Sequence, residues 1–259
     1  MKLKNSLLSV ERLDSIVRLL ESNNHLSVEA ICKEFKVSPA TARRDLDALS
    51  KQGLIQRVHG GAMALHKEPS ESPVFQRMVI QQYYKKVIGA AAASLINDGE
   101  TVFLGSGTTV FEVAKNLKQH NELTVITNSL LVINELIPFS NITIVALVGI
   151  IRHSEFSMIG SISEKALEGL NAGKIIIGIH GIDVNQGLTN HYLPETMTDR
   201  RILQMGQNII IVADHTKCGV ISTSNVAPIS VVNTLVTDKD APEAFISQIK
   251  ALDIEVVQA

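Results

Sequence analysis

Between residues 101 and 213 the chain alternates short, nearly continuous apolar runs with segments of helical periodicity. The apolar runs lie at 101–104, 123–127, 142–148, 174–179 and 208–213. Runs of this kind predict strands buried on both faces, and strands that alternate with helices form a largely parallel sheet covered on both sides. Two further apolar runs, at 231–236 and 254–257, predict late strands around a final helix. The sequence therefore predicts an α/β domain over residues 84–259.

Small and polar residues follow almost every predicted strand. Residues 105–109, Gly-Ser-Gly-Thr-Thr, open a predicted helix and offer hydroxyls and backbone N–H groups, which together suit a phosphate. Ligands of open α/β sheets bind beyond the carboxyl ends of the strands, so these loops predict a site for a small phosphorylated ligand. The predicted effector-binding residues are Gly105, Ser106, Gly107, Thr108, Thr109, Asn128, Arg152, His180, Asp183 and Lys217. The alternative is that the glycine loop is only a tight turn and Asn128 only a helix cap.

The same part of the sequence could in principle serve other kinds of chemistry. Residues 105–109 form neither a Gly-Lys-Ser/Thr phosphate loop nor a G-x-G-x-x-G fingerprint. An isomerase-like enzyme would need a base such as Asp183 or Glu195, and no pair of carboxylates is visible in the sequence. The histidines at 180, 191 and 215 lack metal-ligand spacing, so we expect no metal and no cofactor. A purely structural protein with an empty pocket is a third possibility.

The first 61 residues predict three short helices and a strand. Ser38-Pro39 is a strong start signal for the third helix, and the second helix ends only a few residues earlier, which is helix-turn-helix spacing. The first turns of such a third helix enter the DNA major groove, and a strand with a glycine turn predicts a wing. The predicted DNA-binding residues are Ser38, Ala40, Thr41, Arg43, Arg44, Arg57 and His59. In the alternative, Arg43 pairs with Asp47 on a solvated helix face.

Charge is divided unevenly along the chain, whose net charge is −2. Residues 1–61 hold ten Lys/Arg against seven Asp/Glu, and the remaining residues hold fourteen against nineteen. A basic N-terminal segment followed by an acidic remainder favours binding of the N-terminal segment to nucleic acid phosphates. The first residues predict no signal peptide, and no apolar run is long enough to span a bilayer. Cys32 and Cys218 predict two reduced thiols in a cytoplasmic protein.

Residues 37–46, Val-Ser-Pro-Ala-Thr-Ala-Arg-Arg-Asp-Leu, followed by His-Gly-Gly-Ala at 59–62, closely resemble the DeoR family of bacterial transcription regulators. Only Ala42 departs, because the family usually has a branched residue there. The resemblance implies double-stranded operator DNA as a partner and repression of a carbohydrate catabolism operon. A single winged head makes few contacts with DNA, so we also expect a homo-oligomer, either a dimer or a tetramer.

The body resembles the DeoR-type sensor domain at 98–109, 127–128, 178–183, 187–189 and 213–219. That resemblance implies a fold similar to sugar-phosphate isomerases and CoA transferases, and a phosphorylated sugar as effector. Gly105 and His180 stand where many members have Asp, and Ile150 replaces a glycine. These departures bear on which hydroxyl or amino groups the site accepts. The predicted organisation is a winged helix-turn-helix at 1–61, a linker at 62–83 and the effector-sensing domain at 84–259.

Overall fold

A computed structural model describes residues 9–23, 25–51, 54–58, 60–64 and 72–259. The chain divides into two compact units, Met1–Ser70 and Glu71–Ala259. Among the described residues no helix is long and apolar enough to cross a membrane.

The first unit contains three helices and a small antiparallel sheet. Its elements are α1 (Ser9–Asn23), β1 (His25–Ser27), α2 (Val28–Phe35), α3 (Pro39–Lys51), β2 (Ile55–Val58) and β3 (Gly61–Ala64). The strands pair in the order β1-β3-β2. Apolar residues at helical spacing, among them Ile16 and Leu20 on α1 and Leu46 and Leu49 on α3, are fully buried where the helices meet. The predicted helix-turn-helix and wing are therefore present, with β1 as an additional strand.

The structure differs from the prediction over residues 62–83. Ala62 pairs with Leu26 and is fully buried, so the end of the wing belongs to the first unit. Val74 is also fully buried and begins a short helix in the second unit. Two prolines and many polar residues suggested a linker, but its flanks carry apolar side chains that pack onto the neighbouring units.

The second unit contains seven described helices and twelve described strands. The helices are α4 (Val74–Arg77), α5 (Gln82–Ala93), α6 (Thr108–Lys115), α7 (Leu130–Leu136), α8 (Ser161–Ala166), α9 (Leu193–Ile202) and α10 (Glu243–Lys250). The strands are β4 (Thr101–Leu104), β5 (Leu123–Thr127), β6 (Ile142–Ala146), β7 (Ile150–Arg152), β8 (Ser157–Ile159), β9 (Lys174–Gly178), β10 (Gly181–Asp183), β11 (Gly187–Asn190), β12 (Ile209–Val212), β13 (Ser224–Ala227), β14 (Thr234–Thr237) and β15 (Glu255–Gln258). Two short 3-10 turns lie at His215–Lys217 and Ile229–Val231.

Seven of these strands form one parallel sheet in the order β15-β14-β12-β9-β4-β5-β6. Successive side chains point to opposite faces, so Phe103 and Ile175 pack into one apolar core while Val102 and Ile176 pack into the other. Burial on both faces explains the continuous apolar runs in the sequence. The predicted α/β class with a mostly parallel sheet is confirmed.

The order of the strands determines where a ligand can bind. From β4 the chain moves outward through β5 to β6, and then returns to place β9 on the other side of β4. The loops that leave β4 and β9 therefore diverge, which opens a crevice at their carboxyl ends. Gly105 follows β4, and Ile179 and His180 follow β9, so the loops predicted to hold the ligand meet at this crevice.

Candidate functional site

The third helix of the first unit, α3, presents one polar and one apolar face. Ser38 caps it, since its Oγ accepts the N–H of Thr41 at 3.2 Å. Ala40, Arg43 and Arg44 are exposed, as is Ser38 itself, and Thr41 is half-buried. The predicted contact residues of α3 therefore lie on an accessible face. The same motif continues inward with Asp45 and Leu46, which are buried.

Asp47 pairs with the wing and not with Arg43. Its Oδ1 lies 3.2 Å from Nε of Arg57, and Arg57 Nη1 also donates to the carbonyl of Gly61 at 3.2 Å. Among the described residues Arg43 and Arg44 form no ion pair, so the alternative of a self-paired helix face is not observed. The predicted contact at His59 lies outside the described residues.

A buried ion pair fastens α1 to α3. Arg12 Nε and Nη2 donate to the two carboxylate oxygens of Asp45 at 2.7 and 3.1 Å, and both side chains are nearly inaccessible. This hydrogen bonding raises the pKa of Arg12 above its ordinary value. Bidentate pairs of this kind fix orientation as well as distance. The aspartate of the Arg-Arg-Asp-Leu motif therefore holds the helix in place while the preceding arginines face outward.

In the second unit a cavity of about 200 Å³ lies at the carboxyl ends of β4, β9 and β12. Gly105 to Thr109 form one wall, Ile179 and His180 a second, and residues 213–217 a third. This volume is below the roughly 300–1,000 Å³ of pockets for drug-sized ligands, so the cavity suits a small metabolite.

The loop after β4 gives the cavity its anion-binding character. Gly107 precedes α6 with φ of 102° and ψ of 162°, a backbone conformation that is essentially confined to glycine. No side chain caps α6, and the first N–H groups of any helix have no partner within it. Thr108 and Thr109, which open α6, both line the cavity. Backbone donors, hydroxyls and the positive end of the helix dipole therefore converge on one point, as a phosphate requires.

Three cations, Arg77, Lys85 and Lys217, line the same cavity. Lys85 is only 6% exposed, and burial lowers its pKa to about 8. Smaller effects act in both directions, since Asp214 and Glu112 raise this pKa while Arg77 and Lys217 lower it. A bound anion would relieve the desolvation cost of keeping Lys85 charged.

Buried carboxylates also line the cavity. Glu195 and Asp199 lie one turn apart on α9; Glu195 forms an ion pair with Arg152 and accepts the Ser106 hydroxyl at 3.3 Å. Burial, and then repulsion from Glu195, raise the pKa of Asp199 well above its ordinary value. Asn190 Nδ2 donates to Asp199 at 2.6 Å. These carboxyl groups therefore offer acceptors to ligand hydroxyls.

Seven of the ten predicted effector residues line the cavity, and Asn128, Arg152 and Asp183 do not. Asn128 instead donates to the carbonyl of Met158 at 3.2 Å, which ties the end of β5 to β8. Arg152 does not line the cavity itself, but its ion pair with Glu195 positions that carboxylate. Asp183 accepts two backbone N–H groups at 2.8 Å in the turn between β10 and β11, so its carboxylate stabilises that hairpin.

Sequence reasoning missed several lining residues, including Arg77, Lys85, Glu155 and Asp199, and it considered Glu195 only as a possible base of an isomerase. Lys85 could have been found, because it lies on the same helix face as Ile88 and Ala92, where a lysine is out of place. Arg77 could not, since it falls within the predicted linker.

The glycine at position 105, where many family members have Asp, has a structural reason. An added Cβ would come within 3.0 Å of Ile177 Cγ2, so the isoleucine fills the space beside it.

One cluster of possible metal ligands occurs among the described residues. Single ligand atoms of His215, Asp238 and Asp240 lie within 4.8 Å of one another. Asp238 already accepts the backbone N–H of His215 at 2.8 Å, its ring nitrogen at 2.9 Å and the N–H of Asp240 at 3.0 Å. These bonds make the cluster a loop-fixing network.

Comparison with known families accounts for both units. A DeoR-like helix-turn-helix domain matches residues 12–68, and a DeoR C terminal sensor domain matches residues 80–239. The chain belongs to the DeoR family. This DeoR-family chain is 31% identical to the HTH-type transcriptional regulator GolR of Listeria innocua, over 91% of this chain and 92% of that one. It is 33% identical to the glycerol-3-phosphate regulon repressor of Escherichia coli, over 90% and 92%.

Among solved structures the sensor unit of this DeoR-family chain has a distant likeness to ribose 5-phosphate isomerase from Plasmodium falciparum. The match covers 54% of this chain and 53% of that one, with 18% identity and a TM-score of 0.38. The family membership rests on the two domain matches and on the relatives, which are both named as regulators of transcription.

Proposed function

We propose that this chain is a transcriptional repressor of a carbohydrate catabolism operon, and that a phosphorylated sugar in the sensor cavity controls its binding to operator DNA. The observation that carries the proposal is the cavity itself, which is lined by a helix N-terminus with three cations and by a second group of buried carboxylates. The first group suits a phosphate, and the second suits the hydroxyls of a sugar. A bacterial regulator works on DNA in the cytoplasm, and we propose that location here.

We propose that the exposed face of α3 reads the operator. Arg43 and Arg44 are exposed and carry no ion pair among the described residues, so neither needs to release a partner before it contacts DNA. An arginine that reads guanine bidentately contributes about 1–3 kcal/mol, whereas one that binds phosphate acts equally on all sequences. Ser38, Ala40 and Thr41, at the start of the same helix, lie where the major groove is approached.

We propose that the repressor acts as a dimer or tetramer. One head offers few contacts, and specific affinity is usually reached when two heads bind two half-sites. An effector that releases DNA must bind more tightly to the arrangement of heads that does not fit the operator. Sedimentation of the full-length protein tests the oligomeric state.

The experiment that tests the effector begins by selecting an operator from random duplexes with the full-length protein. A gel shift on that operator is then run against glycerol 3-phosphate, ribose 5-phosphate and glucose 6-phosphate. Thr108→Ala and Lys217→Ala should bind the operator normally and lose the response, while Lys250→Ala, at an exposed site on α10, should respond as the wild type does. A response retained in both cavity variants would mean that the effector binds elsewhere.

The alternative function is a sugar-phosphate isomerase with an accessory DNA-binding head. The observation that favours it is the Glu195–Asp199 pair, because two neighbouring carboxyl groups, of which Asp199 has a raised pKa, can act as base and acid. Turnover of any of the three sugar phosphates by purified protein, abolished by Glu195→Gln, would support the enzyme. Binding without turnover would support the regulator.

A further inference from the structure

The segment that enters the sensor unit also forms part of the cavity. Residues 72–81, here the connecting segment, follow residues 65–71 and so lie next in sequence after the DNA-binding head. Four of its residues line the cavity: Ser72, Arg77, Ile80 and Gln81. A ligand in the cavity therefore faces the part of the sensor unit that is nearest in sequence to the head.

One end of the connecting segment is anchored to the loop after β7. Val74 donates its N–H to the carbonyl of Ser154 at 2.7 Å, and the rings of Phe75 and Phe156 meet edge to face at 4.7 Å. Arg77 forms an ion pair with Glu155, a nearly inaccessible carboxylate. These contacts fix α4 against the wall of the cavity.

At the other end an ammonium group supplements the backbone hydrogen bonds of the segment. Nζ of Lys85 donates to the carbonyls of Arg77 and Ile80, both at 2.7 Å. A lysine has three N–H donors, and among the described residues no third acceptor is found for this one. Lys85 also lines the cavity, so a bound anion can take the remaining donor without displacing either carbonyl.

The same end has features of a hinge. Gln81 adopts a left-handed conformation, with φ of 53° and ψ of 32°, which is uncommon for a residue other than glycine. Val79 and Ile80 beside it are 73% and 53% exposed, so little apolar packing holds this turn. The two hydrogen bonds from Lys85 therefore add to the backbone hydrogen bonds from Ile80 to Arg77 and from Lys85 to Gln81 in holding this turn.

We infer that Lys85 couples anion binding to the connecting segment: an anion held by its third N–H tightens its hydrogen bonds to Arg77 and Ile80 and orders residues 72–81. The inference rests on the proposed function, because it takes the cavity to be the effector site. The connecting segment comes between the DNA-binding head and the rest of the sensor unit in sequence, so its ordering gives a route from effector to DNA along the chain itself. Charge supports this direction, since the anion offsets the desolvation of a buried ammonium group.

Hydrogen exchange of the full-length protein tests the inference, with inorganic phosphate as the probe and chloride at equal ionic strength as the control. The reporters are the amides of Met78 and Ile80, which donate to Val74 and Arg77 in the connecting segment. A turn that closes only when the site is occupied is protected about tenfold at ten times the Kd. The amides of residues 105–109 report separately on occupancy of the cavity.

Two substitutions make the result specific. Lys85→Met should abolish the protection of Met78 and Ile80, whereas Lys86→Met, at the exposed neighbouring position, should preserve it. Exchange in β12 verifies that each variant is folded, and Lys85→Gln replaces Lys85→Met if the sheet is disturbed. Glu155→Gln, which removes the ion pair with Arg77, should speed exchange of the connecting segment without phosphate.

The outcomes separate the two proposals. If phosphate protects residues 105–109 of the wild type but leaves Met78 and Ile80 unchanged, or if Lys85→Met keeps their protection, the coupling through Lys85 is refuted and the effector site stands. If neither phosphate nor the three sugar phosphates protect residues 105–109, the proposed effector site itself is refuted.

Discussion

Substitution of Arg12 by methionine should unfold most of the DNA-binding unit without touching any residue proposed to contact DNA. Methionine keeps much of the volume and removes the charge that pairs with Asp45 across α1 and α3. The carboxylate of Asp45 would then be left nearly inaccessible without its cationic partner. Removing one member of a buried ion pair costs about 3–5 kcal/mol, mainly because the remaining charge is uncompensated.

The upper limit of that penalty follows from protonation. An ordinary aspartic acid can be neutralised at pH 7 for about 4 kcal/mol, and at pH 5 for about 1.5 kcal/mol. We therefore expect Arg12→Met to cost about 3–4 kcal/mol at pH 7 and about half of that or less at pH 5. Units of this size rarely have more than about 3–5 kcal/mol of stability, so the variant head should be largely unfolded at pH 7.

Native-state hydrogen exchange of the full-length protein measures this, because amides of Leu46 and Leu49 report opening of the first unit alone. Lys33→Met, on the exposed face of α2, is the matched control and should change the opening free energy little. Arg12→Met combined with Asp45→Leu should recover much of the loss, since no buried charge remains. A penalty below about 1 kcal/mol at pH 7, or one that does not fall at pH 5, would refute the argument.

Three further outcomes are expected. Arg44→Ala should weaken binding to the selected operator by about 1–3 kcal/mol if it reads a base, whereas Lys33→Ala should not; equal affinities in a gel shift would exclude this contact. Because folding lowers the pKa of Lys85 to about 8, the folded state loses that proton first, so Lys85 should add about 1 kcal/mol to the unfolding free energy between pH 7 and pH 9. Denaturant unfolding should show this rise in the wild type and lack it in Lys85→Met. Gly107→Ala should cost about 1–3 kcal/mol by chemical denaturation and weaken effector binding, because of its backbone conformation. Gly173→Ala should be tolerated, because its backbone is ordinary and the added Cβ would make only a van der Waals contact with the carbonyl oxygen of Thr101 at 3.4 Å.

The central sheet could be predicted from sequence because its strands are buried on both faces. Thr101–Leu104 and Leu123–Thr127 were placed residue for residue, since apolar runs bounded by Gly or Asn leave little choice. The hairpin β7–β8 and the small sheet β10-β11-β13 were not predicted. Their strands are three or four residues long, and residues such as Gly181 and Gly187 carry no periodic signal; their pairing depends on contacts distant in sequence.

Sequence reasoning identified those cavity-lining residues that directly follow strands of the central sheet. Gly105 to Thr109, His180 and Lys217 follow strands of the sheet, and the parallel topology brings such loops together. Arg77 and Lys85 enter from a segment that precedes the first sheet strand, so the strand-end rule does not reach them. Asp183 illustrates the opposite error: it follows a strand, but it ends a hairpin, and its carboxylate is occupied by that turn.

Arg57 makes its observed polar contacts within the first unit. Its side chain forms an ion pair with Asp47 on α3 and donates a hydrogen bond to the carbonyl of Gly61 on β3, while Arg57 itself lies on β2. Arg57 therefore connects α3 to both strands of the wing. A DNA phosphate that binds this guanidinium shares its positive charge with Asp47, so part of the Coulomb gain is offset. We therefore expect α3 and the wing to bind DNA as one rigid unit. An operator that displaces the wing should also weaken the contacts between α3 and the bases.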